Sequence, residues 1–338
     1  MAMVGATAAA MAAALTLCGP SEPPRAQPGG SPAGQHVPSV EPPLSLRVMT
    51  FNLLHGGPAS GWFGDGQELA HRLEITLAEL RGLRPDVIAL QEASQGWGRG
   101  NVAQRLAERL GYHVAFAPAT DRVFGRWPLD WLIVRAMNFR EGPAILSRFP
   151  IASTVAHDLP RCEQRLHPRV LLGAELATPW GPLRVYSTHT SRDDCQLRHL
   201  ETLVEAARGP LPSLVMGDLN AGDRAPAIVH LSEASGWIDA WRAAHPDEPG
   251  ATVWQRVDAA EPTVLRRVDY VFLVPGRACP AAVRDSRVVL NTPLRRADGA
   301  TLWPSDHYGV LADIDLSAPA CATGATADPP RRTATPPG

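Results

Sequence analysis

The sequence contains no lysine: all 32 basic residues are arginine, and 34 aspartate and glutamate residues oppose them. The formal net charge of −2 at pH 7 gives no basic excess of the kind that steers a protein along a polyanion. A guanidinium can still hold a phosphate through two parallel hydrogen bonds, so a local cluster could do that work. The composition therefore argues only weakly against a nuclease.

The sequence also lacks a hydrophobic run long enough for a comfortable membrane span. Residues 2–17 are apolar and alanine-rich, which is typical of the apolar part of a secretory signal. We therefore expect residues 1–18 to direct export, and the protein to be secreted or held at the cell surface. No basic residue precedes the run, and Leu17 stands where a lipoprotein signal prefers a small residue. Lipid attachment at Cys18 is the alternative to removal of the signal.

Cysteine is scarce, with five in the chain, and the spacing matches no zinc-binding pattern. If Cys18 leaves with the signal or carries a lipid, the others form an even set that suits an oxidising compartment. These are Cys162, Cys195, Cys279 and Cys321. Four cysteines allow three pairings, and buried free thiols are the alternative.

Two proline-rich segments without apolar periodicity flank the rest of the chain, at residues 19–44 and 319–338. Neither can bury enough apolar surface to offset its ordering entropy, so we expect both to be disordered. The chain has 338 residues and 45% hydrophobic composition, which is sufficient for a substantial core. We predict one domain over residues 45–318.

Short apolar runs alternate with amphipathic stretches inside this domain. Residues 67–83 place leucines at three- and four-residue steps, which predicts a helix, and residues 101–110 and 195–207 predict two more. Strands are predicted at residues 46–51, 86–90, 144–146, 170–176, 183–187, 214–216, 268–274, 283–290 and 308–314. Many strands with few helices indicate an α+β fold in which two packed sheets carry helices on their outer faces.

Polar residues recur where these strands end, at the rim of the scaffold. Asn52 follows the first strand and Glu92 follows the strand at 86–90. An amide and a carboxylate on neighbouring strands could bind a hard divalent cation through oxygen, although a lone carboxylate there is usually a loop charge. Asp218 and Asn220 follow the strand at 214–216, and an extended backbone would point both the same way. A helix-capping turn is the structural alternative.

Histidines occur at the same strand ends. His189 closes the run Val185-Tyr186-Ser187-Thr188, and His307 stands beside Asp306 just before the last strand. Asp269 lies inside a strand pattern. An aspartate near a histidine orients the ring and raises its basicity, so these residues could form an acid–base element.

Taken in order, these motifs resemble those of the endonuclease/exonuclease/phosphatase family, also typified by DNase I and the neutral sphingomyelinases. The motifs are Asn52, Gln91-Glu92, His189, Gly217-Asp218-Leu219-Asn220, Arg267-Val268-Asp269-Tyr270 and Ser305-Asp306-His307, and residues 142–150 add a similar strand and turn. The resemblance covers about residues 45–316 and implies a four-layer α/β/β/α sandwich of two packed, mainly antiparallel sheets.

The resemblance also implies a metal site. Asn52 and Glu92 would be ligands of Mg²⁺ or Mn²⁺, and Asp306 would lie near the same ion. A metal there polarises the phosphoryl oxygens and offsets developing charge. Arg169 opens a predicted strand after a polar loop and could contact a substrate phosphate, with a solvated loop arginine as the alternative reading.

The remaining motif residues would carry the reaction. Asp218 and Asn220 would position the attacking water and a non-bridging oxygen, while His189 donates to the phosphoryl group in the transition state. Asp269 would orient His307. The residue that takes the proton from water is left open, because the roles of Asp218 and His307 can be exchanged.

The implied fold brings two pairs of cysteine-bearing loops together. We therefore prefer the pairings of Cys162 with Cys195 and of Cys279 with Cys321 over the other two.

Our first hypothesis is an exported, metal-dependent hydrolase of phosphate esters, with a lipid head group or a small ester preferred as substrate. An extracellular nuclease is the alternative, and a non-catalytic binding protein is a third hypothesis from another class. Residues 61–64 and 127–134 place aromatic and apolar side chains between the common strands, where they could dock on lipid or instead bury one another. We expect a monomer.

Overall fold

The computed structural model of the chain describes residues 45–56, 66–122, 124, 128–162, 167–192, 194–278 and 281–316. The predicted signal, tether and tail lie outside these residues, as do residues 61–64, Trp127, Cys279 and Cys321. None of the helices in the described part of the chain combines the length and apolar character needed to cross a bilayer.

The first sheet is built around the N-terminal strand. Its members are β1 (Ser45–Asn52), β2 (Val87–Gly96), β3 (Gly100–Asn101), β4 (His113–Phe116), β5 (Arg140–Ser147), β12 (Ala282–Val289) and β15 (Gly309–Asp315). The order across the sheet is β12-β15-β1-β2-β5-β4, with β3 paired to β2. Only β1 and β2 run parallel among these described pairs.

The second sheet has six strands in the order β10-β11-β9-β8-β7-β6. They are β6 (Ile151–Asp158), β7 (Val170–Thr178), β8 (Gly181–His189), β9 (Ser213–Asp218), β10 (Ile238–Asp239) and β11 (Asp269–Val274). β8 and β9 are parallel, which mirrors the β1–β2 pair of the first sheet. A separate small hairpin pairs β13 (Leu294–Arg295) with β14 (Thr301–Leu302).

Helices cover the outer face of each sheet. The longer ones are α1 (Leu69–Leu83) and α2 (Val102–Leu110) on the first sheet, and α4 (Asp194–Ala206) and α5 (Pro226–Glu233) on the second. Two shorter ones are α3 (Leu129–Met137) and α6 (Ala240–Ala244). The predicted four-layer α/β/β/α sandwich is confirmed.

The core follows from the two-residue alternation of the strands. In β1, Leu46 and Val48 point into the cluster between the sheets, while Met49 and Phe51 point into the cluster under α1 and α2. A strand buried on both faces needs a nearly continuous apolar run, which explains why this strand is readily predicted from sequence.

Several elements differ from the sequence prediction. β4 and β6 were not predicted, and β6 is an edge strand with five consecutive exposed residues and therefore no apolar run. The apolar segment at 127–134 was interpreted as a loop, but most of it forms helix α3. The preferred pairing of Cys162 with Cys195 is present as a disulfide, with Cα atoms 6.5 Å apart, and it joins the β6–β7 connection to α4.

Gly217 allows β8 and β9 to approach closely. A Cβ at this position would lie 2.0 Å from the carbonyl oxygen of Thr188. We expect Gly217→Ala to lower the free energy of unfolding by about 1–3 kcal/mol, the usual cost of overpacking. The matched control is Gly82→Ala in α1, where the added carbon meets open space; it should stabilise by about 0.5–1 kcal/mol. Urea unfolding measures both, and equal midpoints would contradict the close approach.

Candidate active site

Three of the predicted catalytic residues form one row across the second sheet. His189 pairs in register with Asp218 between β8 and β9, and Asp218 pairs with Asp269 between β9 and β11. Residues opposite each other on adjacent strands point to the same face of a sheet. The ends of these three strands therefore present an imidazole and two carboxylates together.

Asn52, the last residue of β1, connects the first sheet to this row. Its Nδ2 donates to Asp218 Oδ2 at 3.1 Å and to Glu92 Oε1 at 3.3 Å. Its Oδ1 accepts a hydrogen bond from the backbone N of Leu54 at 3.1 Å. The structure thus places two of the predicted metal ligands, Asn52 and Glu92, beside the predicted catalytic residue Asp218.

Glu92 reaches the site because β2 is irregular at this point. The pairing of β2 with β5 shifts register between Leu90 and Ala93, and the φ angle of Glu92 is 54°. A bulge re-aims a side chain, and a left-handed conformation in a residue other than glycine persists only where the surroundings enforce it. Glu92 Oε2 accepts a hydrogen bond from the backbone N of His55 at 3.2 Å and lies 3.5 Å from the Nε2 of the same residue.

His189 is a buried, neutral imidazole. Burial lowers its pKa well below the ordinary value of 6.5, and the positive charges of Arg169 and His307 lower it further. Asn220 Nδ2 lies 3.0 Å from His189 Nε2 and also donates to the carbonyl oxygen of Thr190 at 2.9 Å. If the amide donates to Nε2, the ring proton lies on Nδ1, and Asp218 Oδ2, which is 3.3 Å from Nε2, then carries the proton or accepts only from other donors. His189 Nδ1 is buried, lies 4.0 Å from Glu92 Oε1 and makes no hydrogen bond in the described part of the protein, so it could donate to a substrate.

Asp269 and His307 form a buried hydrogen-bonded pair. His307 Nδ1 lies 2.9 Å from Asp269 Oδ2, and His307 Nε2 lies 3.7 Å from Asp218 Oδ2. Burial opposes protonation of His307, but the negative charges of Asp269 and Asp218 outweigh it and raise the pKa to about 10. The ring is therefore held as an imidazolium whose Nδ1–H donates to Asp269 and whose Nε2–H faces Asp218.

Acidic groups accumulate around Asn52. Burial raises the pKa of Asp218 to about 7. Burial also raises the pKa of Asp306, and the charge of Glu92 adds to this effect. Carboxylates that repel each other in a buried cluster favour a bound cation, and carboxylate and amide oxygens are the ligands that Mg²⁺ and Mn²⁺ prefer. Glu92 and Asp306 could hold a hard divalent ion through their carboxylates, and Asn52 could join them through the second lone pair of Oδ1, because its Nδ2 faces Glu92.

A second grouping also has the composition of a metal site. Single ligand atoms of Asp218, Asp269 and His307 all lie within 4.8 Å of one another. An imidazolium donates hydrogen bonds and offers no lone pair to a metal. Because both ring nitrogens of His307 face carboxylates, this group can act as an acid–base network, and Asn52, Glu92 and Asp306 are the other residues that could hold a metal.

Comparisons with known proteins agree with this geometry. A family model described as "Endonuclease/Exonuclease/phosphatase family" matches residues 49–307, which include every predicted catalytic and metal-binding residue. The chain belongs to the endonuclease/exonuclease/phosphatase family. No curated protein sequence matches it significantly.

Solved structures of the endonuclease/exonuclease/phosphatase family share the fold. A family member from Beutenbergia cavernae DSM 12333 is 25% identical with a TM-score of 0.57, covering 80% of this chain and 72% of that chain. The mannosyl-6-phosphatase of Bacteroides thetaiotaomicron VPI-5482 is 18% identical with a TM-score of 0.60, covering 80% and 99%. D. rerio TDP2 complexed with single-strand DNA product is 19% identical with a TM-score of 0.58, covering 80% and 99%.

Arg169 also lies near the predicted active site. Its Nε atom is buried without a partner among the described residues, and its charge lowers the pKa of His189. Two residues near the site were missed from sequence, His55 beside Glu92 and Glu141 at the start of β5. Burial raises the pKa of Glu141 to about 7, with a further contribution from Glu92. The position of His55, three residues after Asn52, could have indicated from the sequence that it lies near the site. No sequence feature indicated Glu141.

Trp254 and two neighbouring arginines lie at one edge of the predicted active site. Trp254 is 52% exposed, and the guanidinium carbons of Arg192 and Arg266 lie 5.6 Å and 4.7 Å from the centre of its ring system. Neither arginine has a carboxylate partner within the described ranges. The neighbouring Val253 forms a backbone bridge with His307. The rim therefore offers positive charge and an aromatic face next to the Asp269–His307 pair.

Proposed function

We propose that this protein is an exported hydrolase of phosphate esters that depends on Mg²⁺ or Mn²⁺. The observation that carries the proposal is the single buried cluster in which Asn52 joins Glu92 of one sheet to the His189–Asp218–Asp269 row of the other. Family membership supports the reaction class. Export rests on the alanine-rich residues 2–17 alone.

Each residue has a task that its contacts support. A divalent cation held by Asn52, Glu92 and Asp306 would supply Lewis-acid polarisation of the phosphoryl oxygens. Asp218 is buried with a raised pKa, which suits a carboxylate that accepts a proton from an attacking water. The backbone N of Asn220 donates to Asp218 Oδ1 at 2.9 Å and fixes its orientation.

The two histidines act on the phosphoryl group. The free Nδ1–H of His189 donates to an oxygen that gains charge in the transition state. The His307 imidazolium, oriented by Asp269, supplies positive charge and a proton on the other side of Asp218. Arg169, whose Nε is buried without a partner among the described residues, would hold a substrate phosphate oxygen through its guanidinium.

A lipid head group or a small phosphate ester is the preferred substrate, and a nuclease remains the second candidate. The rim of Arg192, Trp254 and Arg266 favours the second candidate, because unpaired guanidiniums and an exposed ring can bind backbone phosphate and a base. The similar structures include both a mannosyl-6-phosphatase and a protein bound to single-strand DNA product. Fold alone does not select between these substrates.

Metal dependence tests the proposal. Hydrolysis is measured with Mg²⁺ or Mn²⁺ and with EDTA on plasmid DNA, RNA, sphingomyelin, phosphatidylinositol, mannose 6-phosphate and bis-p-nitrophenyl phosphate. We expect turnover that EDTA removes, and we expect Glu92→Gln to raise the metal concentration for half-maximal rate at least about tenfold, because one anionic ligand is lost.

The matched control is Glu74→Gln, which removes an exposed carboxylate of α1 that pairs with Arg109. It should leave the metal dependence unchanged. An unaltered metal requirement in Glu92→Gln would overturn the assignment of Glu92. Absence of turnover on every substrate would overturn the proposal in favour of the binding-protein hypothesis.

A further inference from the structure

Helix α3 is apolar on nearly all sides and yet exposed. Its nine residues read Leu-Asp-Trp-Leu-Ile-Val-Arg-Ala-Met, and the only buried side chain among them is the aspartate, Asp130. Asp130 Oδ1 accepts a hydrogen bond from the backbone N of Phe124 at 2.7 Å, so the polar side chain faces inward. Trp131 and Leu132 are 51% and 52% exposed. A helix that is hydrophobic all round normally lies in a protein core or a membrane.

Trp97 extends this surface beyond the helix, and Arg135 of α3 lies next to it. Trp97 follows β2 and is 72% exposed, and its backbone N donates to Asn138 Oδ1 at 2.9 Å at the end of α3. The Arg135 guanidinium lies between two indoles, 5.9 Å from the ring centre of Trp97 and 5.7 Å from that of Trp131. Arg135 has no carboxylate partner within the described parts of the chain.

The surface adjoins the catalytic cluster. The Trp97–Arg135–Trp131 group lines an open cavity of about 430 Å³ that Phe139 also lines. The Phe139 ring meets the His55 ring edge-on at 5.2 Å, and His55 contacts Glu92. A large ligand seated on α3 would therefore reach the rim next to the predicted metal ligands.

We propose that α3 and Trp97 form a docking surface for a phospholipid bilayer, which presents a lipid phosphate ester to the site. The inference rests on the proposed phosphoesterase function, because the surface would bring a lipid substrate to the site. The vesicle-binding experiment does not depend on that function. Exposed leucines and indoles partition into the bilayer interface, where tryptophan is favoured. The Arg135 guanidinium, which has no carboxylate partner among the described residues, complements the phosphate layer above the acyl chains. A purely apolar protein partner would leave this positive charge without a counter-charge.

The geometry also indicates how the helix lies. A nine-residue helix is about 14 Å long, which is far shorter than a membrane span. It would lie in the plane of the interface, with Trp131 and Leu132 inserted and Arg135 at the level of the phosphates.

Vesicle binding tests the proposal with the full chain carrying Cys18→Ser, which removes any acylation site. Sedimentation with phosphatidylcholine/phosphatidylglycerol vesicles is compared for this protein, Trp131→Ala/Leu132→Ala, Arg135→Gln and the control Val155→Ser. Val155 is 46% exposed on β6, the edge strand of the second sheet. Quenching of tryptophan fluorescence by brominated lipid reports contact of the indoles with the bilayer independently of the N-terminal apolar run.

We expect the double variant to bind at least tenfold more weakly and to lose most of the quenching. Arg135→Gln should bind about fivefold more weakly to anionic vesicles, and Val155→Ser should bind normally. Hydrolysis of soluble bis-p-nitrophenyl phosphate should be unchanged in all four proteins. Failure of that hydrolysis would overturn the proposed function without affecting vesicle binding.

Two results would overturn the docking proposal. One is equal vesicle binding and quenching by the double variant and its parent. The other is a concentration-dependent dimer in analytical ultracentrifugation that the double variant abolishes, because a second copy would then cover α3.

Discussion

Replacing His307 by asparagine is expected to lower kcat for phosphate ester hydrolysis by about 10²- to 10⁴-fold, the usual range for loss of a general acid or base. The ring is buried, donates to Asp269 at 2.9 Å and faces Asp218 at 3.7 Å, so no other described group can replace its charge at this position. Asparagine keeps a hydrogen-bond donor to Asp269 but carries no positive charge. Initial rates at saturating Mg²⁺ measure the effect.

The pH dependence separates a catalytic from a structural role for this pair. The carboxylate of Asp269 is the largest of the influences that raise the pKa of His307 to about 10. If the imidazolium is the active form, activity is lost as pH rises through that pKa. Asp269→Asn removes the raising charge, so the alkaline limb of the kcat profile should move to lower pH. A slower variant whose limb stays in place would show that His307 is not the titrating group.

The strands and their polar ends were predictable because they obey simple sequence rules. The β1 strand is an apolar run that ends in Asn52, and His189 and Asp218 likewise end buried strands. The parallel pairs then bring these ends to one place. The order of the motifs along the chain was enough for the family and for the layers of the fold.

Sequence reasoning failed where a side chain depends on distant contacts or local distortion. The bulge that turns Glu92 inward is set by the pairing with β5, far away in sequence. The involvement of Glu141 arises only because β5 adjoins Glu92 in space. Arg267, to which the sequence assigned no role, forms a buried ion pair with Asp239 at 2.7 Å, and its guanidinium carbon lies 4.5 Å from the centre of the Tyr270 ring.

His189→Ala is the second substitution with a large expected effect, a loss of about 10²- to 10³-fold in kcat with KM little changed. Removing one preorganised donor to a developing oxyanion has this cost. The reason here is that Nδ1 is the ring atom left without a partner, while Nε2 is held by Asn220. His199→Ala, an exposed histidine on α4, is the matched control and should retain full activity.

A comparison of substrates with different leaving groups tests which phosphate oxygen accepts the hydrogen bond from His189. Negative charge develops on the non-bridging phosphoryl oxygens with any leaving group. If His189 donates to such an oxygen, His189→Ala should therefore slow hydrolysis of p-nitrophenyl and alkyl phosphate diesters by the same factor. A donor to the leaving oxygen matters far more for an alkoxide than for p-nitrophenolate, because only the alkoxide needs protonation. We expect equal factors, because we propose that His189 donates to an oxygen that gains charge in the transition state and not to the leaving oxygen. A much larger loss with the alkyl ester would instead make His189 the acid that protonates the leaving group.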